Sequence, residues 1–167
     1  LNEHTRAGDL AALLDPLRNG HDVGLLSDAG CPAVADPGAE LIRLAHHKGI
    51  QVTALVGPSA ILLALMASGL NGQRFAFHGY LPVDARERIR CIGELEQESR
   101  RHDAAQIFIE TPYRNQRMFD ALISACDGAT LICIATELTL PGESVHTRSA
   151  AHWRKQPPNI ENRPTVF

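Results

Sequence analysis

Two short apolar segments, each followed by a turn-forming stretch and a helical pattern, constrain the fold of this chain more than any other feature. Residues 23–26 (V-G-L-L) and 50–56 (I-Q-V-T-A-L-V) are typical of buried parallel strands. Helical periodicity covers residues 8–18, 39–47 and 60–67, so helix and strand alternate. Because the connections are short, the first part of the chain is predicted to be half of a doubly wound α/β domain.

The rest of the chain shows a second series of alternating elements. Residues 75–81 form an extended segment with alternate aromatic residues, and Pro82 closes it. The patterns beyond it predict helices over residues 84–101, 114–126 and 150–155, and strands over residues 106–110, 131–137, 144–147 and 165–167. The predicted organisation is a partial N-terminal α/β domain (1–74), a linker (75–82) and a C-terminal α/β domain (83–167).

Composition and charge exclude several classes of protein. The chain is 44% hydrophobic and 21% charged, which is close to the average of globular domains. Its longest apolar stretch, residues 60–67, is too short to span a bilayer, so no membrane partner is expected. A net charge of −3 gives no overall basic footprint for nucleic acid, although a local patch would suffice.

The cysteines and the first residues bear on the cellular setting. The four cysteines, Cys31, Cys91, Cys126 and Cys133, form no C-x-x-C pair, which argues against a zinc site or a disulfide framework. Residues 1–9 carry neither a basic nor an apolar signal-peptide region. We therefore expect no metal and a reducing, cytoplasmic setting.

The segment after the first predicted strand, residues 27–38, is the leading candidate for a binding loop. In open α/β sheets, ligands bind at the carboxyl ends of strands. Gly30 lets the backbone approach a ligand, and the carboxylates of Asp28 and Asp36 accept hydrogen bonds from hydroxyl or amino groups. The alternative is a structural connection in which Asp36 caps the following helix.

A second loop, residues 57–60, follows the next predicted strand and opens a helix. The amide groups at a helix N-terminus suit a carboxylate or phosphate, and the Ser59 hydroxyl adds a donor, although a plain helix cap explains Ser59 equally well. Two such loops at neighbouring strand ends outline one crevice. The sequence has no G-x-G-x-x-G after a strand and no P-loop, so dinucleotide and nucleoside-triphosphate sites lose their best support.

Two further strand ends carry polar residues in the second half of the chain. Tyr113 and Arg114 lie where the strand ending at Glu110 gives way to a helix, and they suit a planar or anionic partner. Residues 135–139 (A-T-E-L-T) follow the next strand in the same way. An ordinary helix start and an ordinary strand end explain these positions as well.

These loops, in this order, resemble motifs of the tetrapyrrole-methylase superfamily. Residues 27–38 (S-D-A-G-C-P-A-V-A-D-P-G), 56–60 (V-G-P-S-A) and 75–82 (F-A-F-H-G-Y-L-P) resemble its S-D-A-G-T-P-x-x-x-D-P-G, P-G-P-x-A and F-x-x-E-G-F-L-P motifs. Residues 108–111 and 137–139 are similar to F-Y-E-S and E-L-T. The likeness is greatest to the branch of small-subunit ribosomal RNA 2′-O-ribose methyltransferases. Cys31 replaces a threonine and Tyr80 a phenylalanine of that pattern.

The resemblance implies two α/β domains, the first with a parallel and the second with a mixed sheet, and a homodimer that needs no metal. It places the family's first strand and P-x-G-N-L-x-D loop before Leu1 and further C-terminal strands after the last residue. It implies that S-adenosylmethionine, the methyl donor, is held between the domains. The implied cofactor-binding residues are Asp28, Ala29, Gly30, Cys31, Val34, Ser59, Ala60, Pro112, Tyr113, Ala135, Thr136 and Thr165.

Methyl transfer to a hydroxyl requires alignment, exclusion of water and removal of a proton. Glu110 and Glu137, at strand ends, are the candidate general bases, unless one of them pairs with Arg114. An RNA substrate predicts a positive patch from Arg86, Arg88, Arg114 and Arg117. The alternatives are a methyltransferase for a tetrapyrrole or another small molecule, and a non-catalytic protein that binds the cofactor.

Overall fold

In the part of the chain that the computed structural model describes, residues 1–2, 5–28 and 30–167, five strands form one mixed sheet. These residues divide into two compact units, 1–59 and 60–167, and each is described by itself. The helices are α1 (Ala7–Leu13), α2 (Asp15–Arg18), α3 (Ala39–His47), α4 (Ala60–Ser68), α5 (Ala85–His102), α6 (Asn115–Ala125) and α7 (Ala150–Lys155). The strands are β1 (Phe75–Tyr80), β2 (Ala105–Glu110), β3 (Leu131–Thr136), β4 (Ser144–Ser149) and β5 (Thr165–Val166).

The first unit is built on helices. α1 packs against α3, and Leu10, Leu14 and Ala45 are buried. The helix predicted over residues 8–18 is divided into α1 and α2, because Pro16 has no N–H with which to continue the helical hydrogen bonds.

The two strands predicted in this unit do not form. Residues 23–26 and 50–56 are not strands in the described structure, and Leu26 and Leu55 are 89% and 88% exposed. A strand requires a neighbour with which its backbone groups exchange hydrogen bonds, and the described residues of this unit supply none. The prediction of a parallel sheet in the first domain is therefore wrong for residues 1–59 as described.

The second unit is a sheet covered by helices on both faces. The strand order is β1-β2-β5-β3-β4, with β1 parallel to β2, β5 antiparallel to both β2 and β3, and β4 antiparallel to β3. It follows that β1, β2 and β3 run in one direction and end at the same edge. The α/β fold class and the mixed C-terminal sheet are confirmed.

Each face of this sheet has its own apolar core. On one face, Phe108 stacks on Phe167 at 5.7 Å between ring centroids, within a cluster that includes Phe119 and Trp153. On the other face, Ala64 of α4 packs with residues of β2, β3 and β5. Burial of each large apolar side chain contributes about 1.5–3 kcal/mol, so these clusters hold the strand ends in position.

The division between domains differs from the prediction. The predicted linker, residues 75–82, contains β1, which pairs with β2 as the edge strand of the sheet. α4, predicted in the N-terminal domain, packs against β3, β4 and β5. Periodicity reports local structure only, whereas the assignment of an apolar helix to one core or another depends on packing.

Two local features complete the frame. Asp84 caps α5 by accepting hydrogen bonds from the backbone N–H groups of Arg86 and Glu87, each at 3.0 Å. Among the residues described, no helix combines the length and the apolar character needed to cross a bilayer.

Candidate functional site

Three strand ends lie side by side at the carboxyl edge of the sheet in the second unit. Glu110, the last residue of β2, pairs across the sheet with Thr165, the first residue of β5. Thr165 pairs on its other side with Thr136, the last residue of β3. All three are buried. The predicted positions at the ends of β2, β3 and β5 are thus brought together, at the kind of edge where α/β proteins bind ligands.

Glu110 forms a buried ion pair with Arg114. Its Oε1 atom accepts hydrogen bonds from Nη2 of Arg114 at 2.6 Å and from Nε at 3.0 Å. The same oxygen accepts from the backbone N–H of Thr111 at 2.6 Å. The Glu110 side chain is only 1% exposed and that of Arg114 16%. Glu110 therefore holds Arg114 in a fixed orientation, and its Oε1 atom is already occupied by donors.

Tyr113 lies beside this pair and faces solvent. Residues Pro112–Arg114 form a single 3₁₀ turn, closed by a 2.9 Å hydrogen bond from the Arg114 N–H to the Thr111 carbonyl. The ring of Tyr113 is 72% exposed, and the Arg114 guanidinium carbon lies 5.9 Å from its centroid. An exposed ring next to an anchored guanidinium is suited to stacking on a planar group.

Asn115 is a residue of this edge that the sequence analysis did not select. It is fully buried, and its Nδ2 donates to the carbonyls of Ile160 at 3.2 Å and Arg163 at 2.6 Å, and to Oγ1 of Thr165 at 3.1 Å. These bonds tie the start of α6 to the segment that leads into β5. The sequence signal was a polar residue at the first position of an otherwise amphipathic helix.

Glu137 is paired as well, with an arginine that the sequence analysis also missed. Its Oε2 accepts a 2.7 Å hydrogen bond from Nη2 of Arg163, which also donates to the Gly142 carbonyl at 2.6 Å. The Glu137 side chain is 27% exposed, so this carboxylate is far more accessible than that of Glu110. Arg163 is distant from Glu137 in sequence, and no local pattern indicates the pairing.

The turn after β3 is tightly constrained around Glu137. Glu137 and Thr139 have left-handed backbone angles, with φ of 49° and 68°. The Glu137 N–H donates to the Pro164 carbonyl at 2.9 Å, and a Cβ placed on Gly142 would overlap the Glu137 carboxylate. Non-glycine residues in such angles are concentrated at functional sites, so this turn is built to hold the Glu137 side chain in place.

In the first unit, the two loops selected from the sequence contact each other. The thiol of Cys31 lies 3.5 Å from the Pro58 carbonyl, as a weak donor to it. This contact brings residues 27–38 next to residues 57–59, as the predicted crevice requires. Cys31 and Ser59 are partly buried, Asp28 and Gly30 are exposed, and Val34 is half exposed. Ala60 is exposed at the start of α4, and Ala29 lies outside the described residues.

The loop of residues 27–38 has an unusual backbone. Gly30 has a φ of 81°, and Ala33 and Ala35 have φ of 63° and 53°, angles that an alanine adopts at a cost of about 1–2 kcal/mol. Gly38 has a φ of 144°, and a Cβ there would lie 2.8 Å from the side chain of Leu25. Stored strain of this kind is typical of ligand loops.

The predicted arginine patch is only partly formed. Arg86 and Arg117 are exposed, whereas Arg88 is buried, with its Nη1 donating to the Val83 carbonyl at 3.1 Å. Arg88 lies one turn before the buried Ile92 on the inward face of α5, so its placement on a binding surface was wrong.

The cysteines of the second unit are not reactive site groups. Burial raises the pKa of Cys126 from 9.0 to about 11, and burial also raises the pKa of Cys133. Both are therefore neutral thiols near pH 7, and the four cysteines are unpaired.

The fold and its carboxyl edge define the class as an α/β protein with ligand loops at strand ends, and comparison with known proteins narrows it. Ribosomal RNA small subunit methyltransferase I of Escherichia coli O157:H7 is 33% identical to this chain over 146 residues, 87% of this chain and 50% of that protein. The crystal structure of the methyltransferase CobJ superposes with a TM-score of 0.63 at 19% identity, covering 99% of this chain and 72% of CobJ.

A second solved structure is the uroporphyrin-III C-methyltransferase from Thermus thermophilus complexed with S-adenosylhomocysteine. It superposes with a TM-score of 0.53 at 14% identity, over 96% of this chain and 71% of that one. The family model of the tetrapyrrole (corrin/porphyrin) methylases matches residues 2–152. The chain therefore belongs to the tetrapyrrole methylase family. It spans about half the length of the curated relatives it matches.

Proposed function

We propose that this chain is part of an S-adenosylmethionine-dependent methyltransferase that methylates the 2′-hydroxyl of a ribose in small-subunit ribosomal RNA. The observation that carries this proposal is the similarity over 87% of the chain to a protein named ribosomal RNA small subunit methyltransferase I. The likeness to CobJ, at 19% identity, supports the fold alone and therefore gives no argument for a tetrapyrrole substrate.

The residues of both units fit the methyl donor chemically. In the first unit, the backbone of Gly30 has open space where a side chain would be, and the adjoining Cys31 and Ser59 lie in the two contacting loops. In the second unit, Tyr113 offers a ring to an adenine, and the backbone at residues 135–136 offers hydrogen-bonding groups at the strand end. When bound, S-adenosylmethionine supplies a methyl group activated by its positively charged sulfur.

The paired carboxylates have different roles in this proposal. Glu137 is the accessible one, and we assign it to accept the proton of the ribose hydroxyl while Arg163 holds it in place. Glu110 is buried and saturated at Oε1, so we assign it the positioning of Arg114. Arg114 and Tyr113 then orient a planar or anionic part of the substrate or cofactor.

An RNA substrate also needs positive charge at the surface, since the chain as a whole carries a net charge of −3. Exposed Arg86 and Arg117 supply a local part of it. The further expectations, a homodimer and a cytoplasmic location, belong to the same proposal. The molecular mass in solution tests the first, and fractionation of cells tests the second.

Calorimetry and a transfer assay test the function. The chain is titrated with S-adenosylhomocysteine and then assayed with radiolabelled S-adenosylmethionine on small ribosomal subunits that lack 2′-O-methylation. Where the gene encodes residues beyond these 167, the whole product is tested alongside. Binding and labelling of the RNA are expected. Binding without labelling would shift the substrate to a small molecule, and no binding by the whole product would refute the enzyme.

A further inference from the structure

A slot passes through the sheet of the second unit between β2 and β3. The strand between them, β5, is only two residues long, whereas β2 and β3 are six residues long and continue past its end. The space left open is a cavity of about 660 Å³, whose lining includes Gln106, Ile107, Leu131, Cys133 and Phe167. This cavity lies at the end of β2 and β3 opposite to Glu110 and Thr136.

The β2 wall of the slot presents unused strand-pairing groups. Phe108 and Phe167 exchange two backbone hydrogen bonds of 2.9 Å. In a strand, residues two apart direct their N–H and C=O groups to the same side. Gln106 therefore presents its backbone N–H and C=O to the slot.

The β3 wall is equivalent. The N–H of Glu137 donates to the Pro164 carbonyl on the β5 side at 2.9 Å. The same alternation directs the backbone of Cys133 toward the slot. Two strands thus face each other with donors and acceptors, and such groups are costly to leave buried without partners.

The dimensions match one strand. Neighbouring strands lie about 4.8 Å apart, so β2 and β3, which flank β5, leave a gap about one strand wide where β5 ends. Three residues of extended chain advance about 10 Å, which is the distance from the level of Phe167 to the level of Ala105 at the start of β2.

The chemistry of the occupant follows from the two covered faces. Leu122 and Cys126 of the α6 region line the slot on one face, and Ala64 and Leu65 of α4 line it on the other. A strand covered on both faces is apolar throughout, without alternation. Phe167 already directs β5 into this space, so the occupant is an extension of β5 in the same direction and register.

We propose that the slot accepts an extended apolar segment of three residues joined to Phe167, with the second of them paired to the backbone of Gln106 and the first to that of Cys133.

The test uses two extended forms of the chain that differ in one residue. One carries Val-Ile-Val after Phe167, and the matched control carries Val-Pro-Val. Proline at the second added position removes the N–H that would donate to the Gln106 carbonyl. The first form is expected to raise Tm by about 5 °C over the unextended chain, since it adds several backbone hydrogen bonds and buries apolar surface. The control is expected to leave Tm nearly unchanged.

Hydrogen exchange gives an independent readout. The amides of Gln106 and Cys133 are expected to exchange about tenfold more slowly in the Val-Ile-Val form, and at the original rate in the control. Equal Tm values for the two forms, or unchanged exchange at both amides, would overturn the proposal. Equal protection by millimolar acetyl-Val-Ile-Val-amide added to the unextended chain would overturn the requirement for a joined segment.

Discussion

The guanidinium of Arg114 lies with its Nη2 2.6 Å and its Nε 3.0 Å from a single oxygen, Oε1 of Glu110. This pair closes the end of β2 and orients the turn that carries Tyr113. Its burial distinguishes it from the ion pairs on the surface of α5 and makes it the most consequential charged contact of the second unit.

Replacing Glu110 by glutamine is expected to lower the free energy of unfolding by about 3 kcal/mol, because Arg114 is left largely buried without a counter-charge. Urea unfolding followed by the fluorescence of Trp153, the single tryptophan and a buried residue of the same unit, measures the change. The matched control is Glu94→Gln, which breaks an exposed 3.8 Å pair with Arg90 and should change stability by a few tenths of a kcal/mol (about 0.3). Equal effects of the two substitutions would contradict this account.

Asn115→Ala is expected to destabilise the second unit by about 2 kcal/mol. The substitution removes the donor to the Ile160 and Arg163 carbonyls and leaves a small cavity at the start of α6. The same unfolding measurement applies, and hydrogen exchange at Thr165 and Val166 should accelerate. Gln116→Ala, at the exposed neighbouring position, is the control and should leave both quantities unchanged. Slow exchange in β5 of the Asn115→Ala variant would show that other contacts hold this strand.

Glu137→Gln is expected to reduce kcat for RNA methylation about 10²- to 10⁴-fold, the usual contribution of a general base, with little change in the affinity for S-adenosylhomocysteine. Glu161→Gln, an exposed carboxylate of the same unit, is the control. A raised KM with normal kcat would assign Glu137 to substrate binding. The rate of the variant is also expected to lose its dependence on pH where the wild-type base titrates.

Gly38→Ala is expected to disturb the loop of residues 27–38, since an added Cβ lies 2.8 Å from Leu25 and φ is 144°. Limited proteolysis within this loop should become faster, and the dissociation constant for S-adenosylhomocysteine should rise about tenfold or more. Gly24→Ala, where an added Cβ meets nothing within 4 Å, is the matched control and should behave as the wild type. Unchanged proteolysis and affinity in Gly38→Ala would exclude a role for this backbone geometry.

The buried thiol of Cys126 makes stability depend on alkaline pH. Burial raises its pKa from 9.0 to about 11, so the folded state binds the proton more tightly than the unfolded state. Its contribution is therefore fully present below pH 9 and is lost as the pH rises toward about 11. Urea midpoints between pH 8 and 10.5 should fall less steeply for Cys126→Ala than for the wild type. Cys31→Ala, in the other unit, is the control, and identical slopes for all three proteins would refute the linkage.

Much of the second unit was predictable because its signals are local. The helix predicted over residues 84–101 is observed as Ala85–His102, and the strand predicted over residues 131–137 as Leu131–Thr136. An amphipathic period and a turn dipeptide are properties of neighbouring residues, so they survive whatever the chain packs against. The motif resemblance likewise selected the correct family, since the family model covers the same loops.

The sequence by itself determined the elements of the second unit, the polar strand ends at Glu110 and Glu137, and the family. Only the tertiary structure decided which of these groups are occupied, buried or accessible. It paired Glu137 with Arg163, buried Arg88, and placed residues 75–80 in the sheet rather than in a linker. The physical reason is that strand pairing, burial and ion pairing join residues far apart in sequence, and a local pattern does not specify the partner.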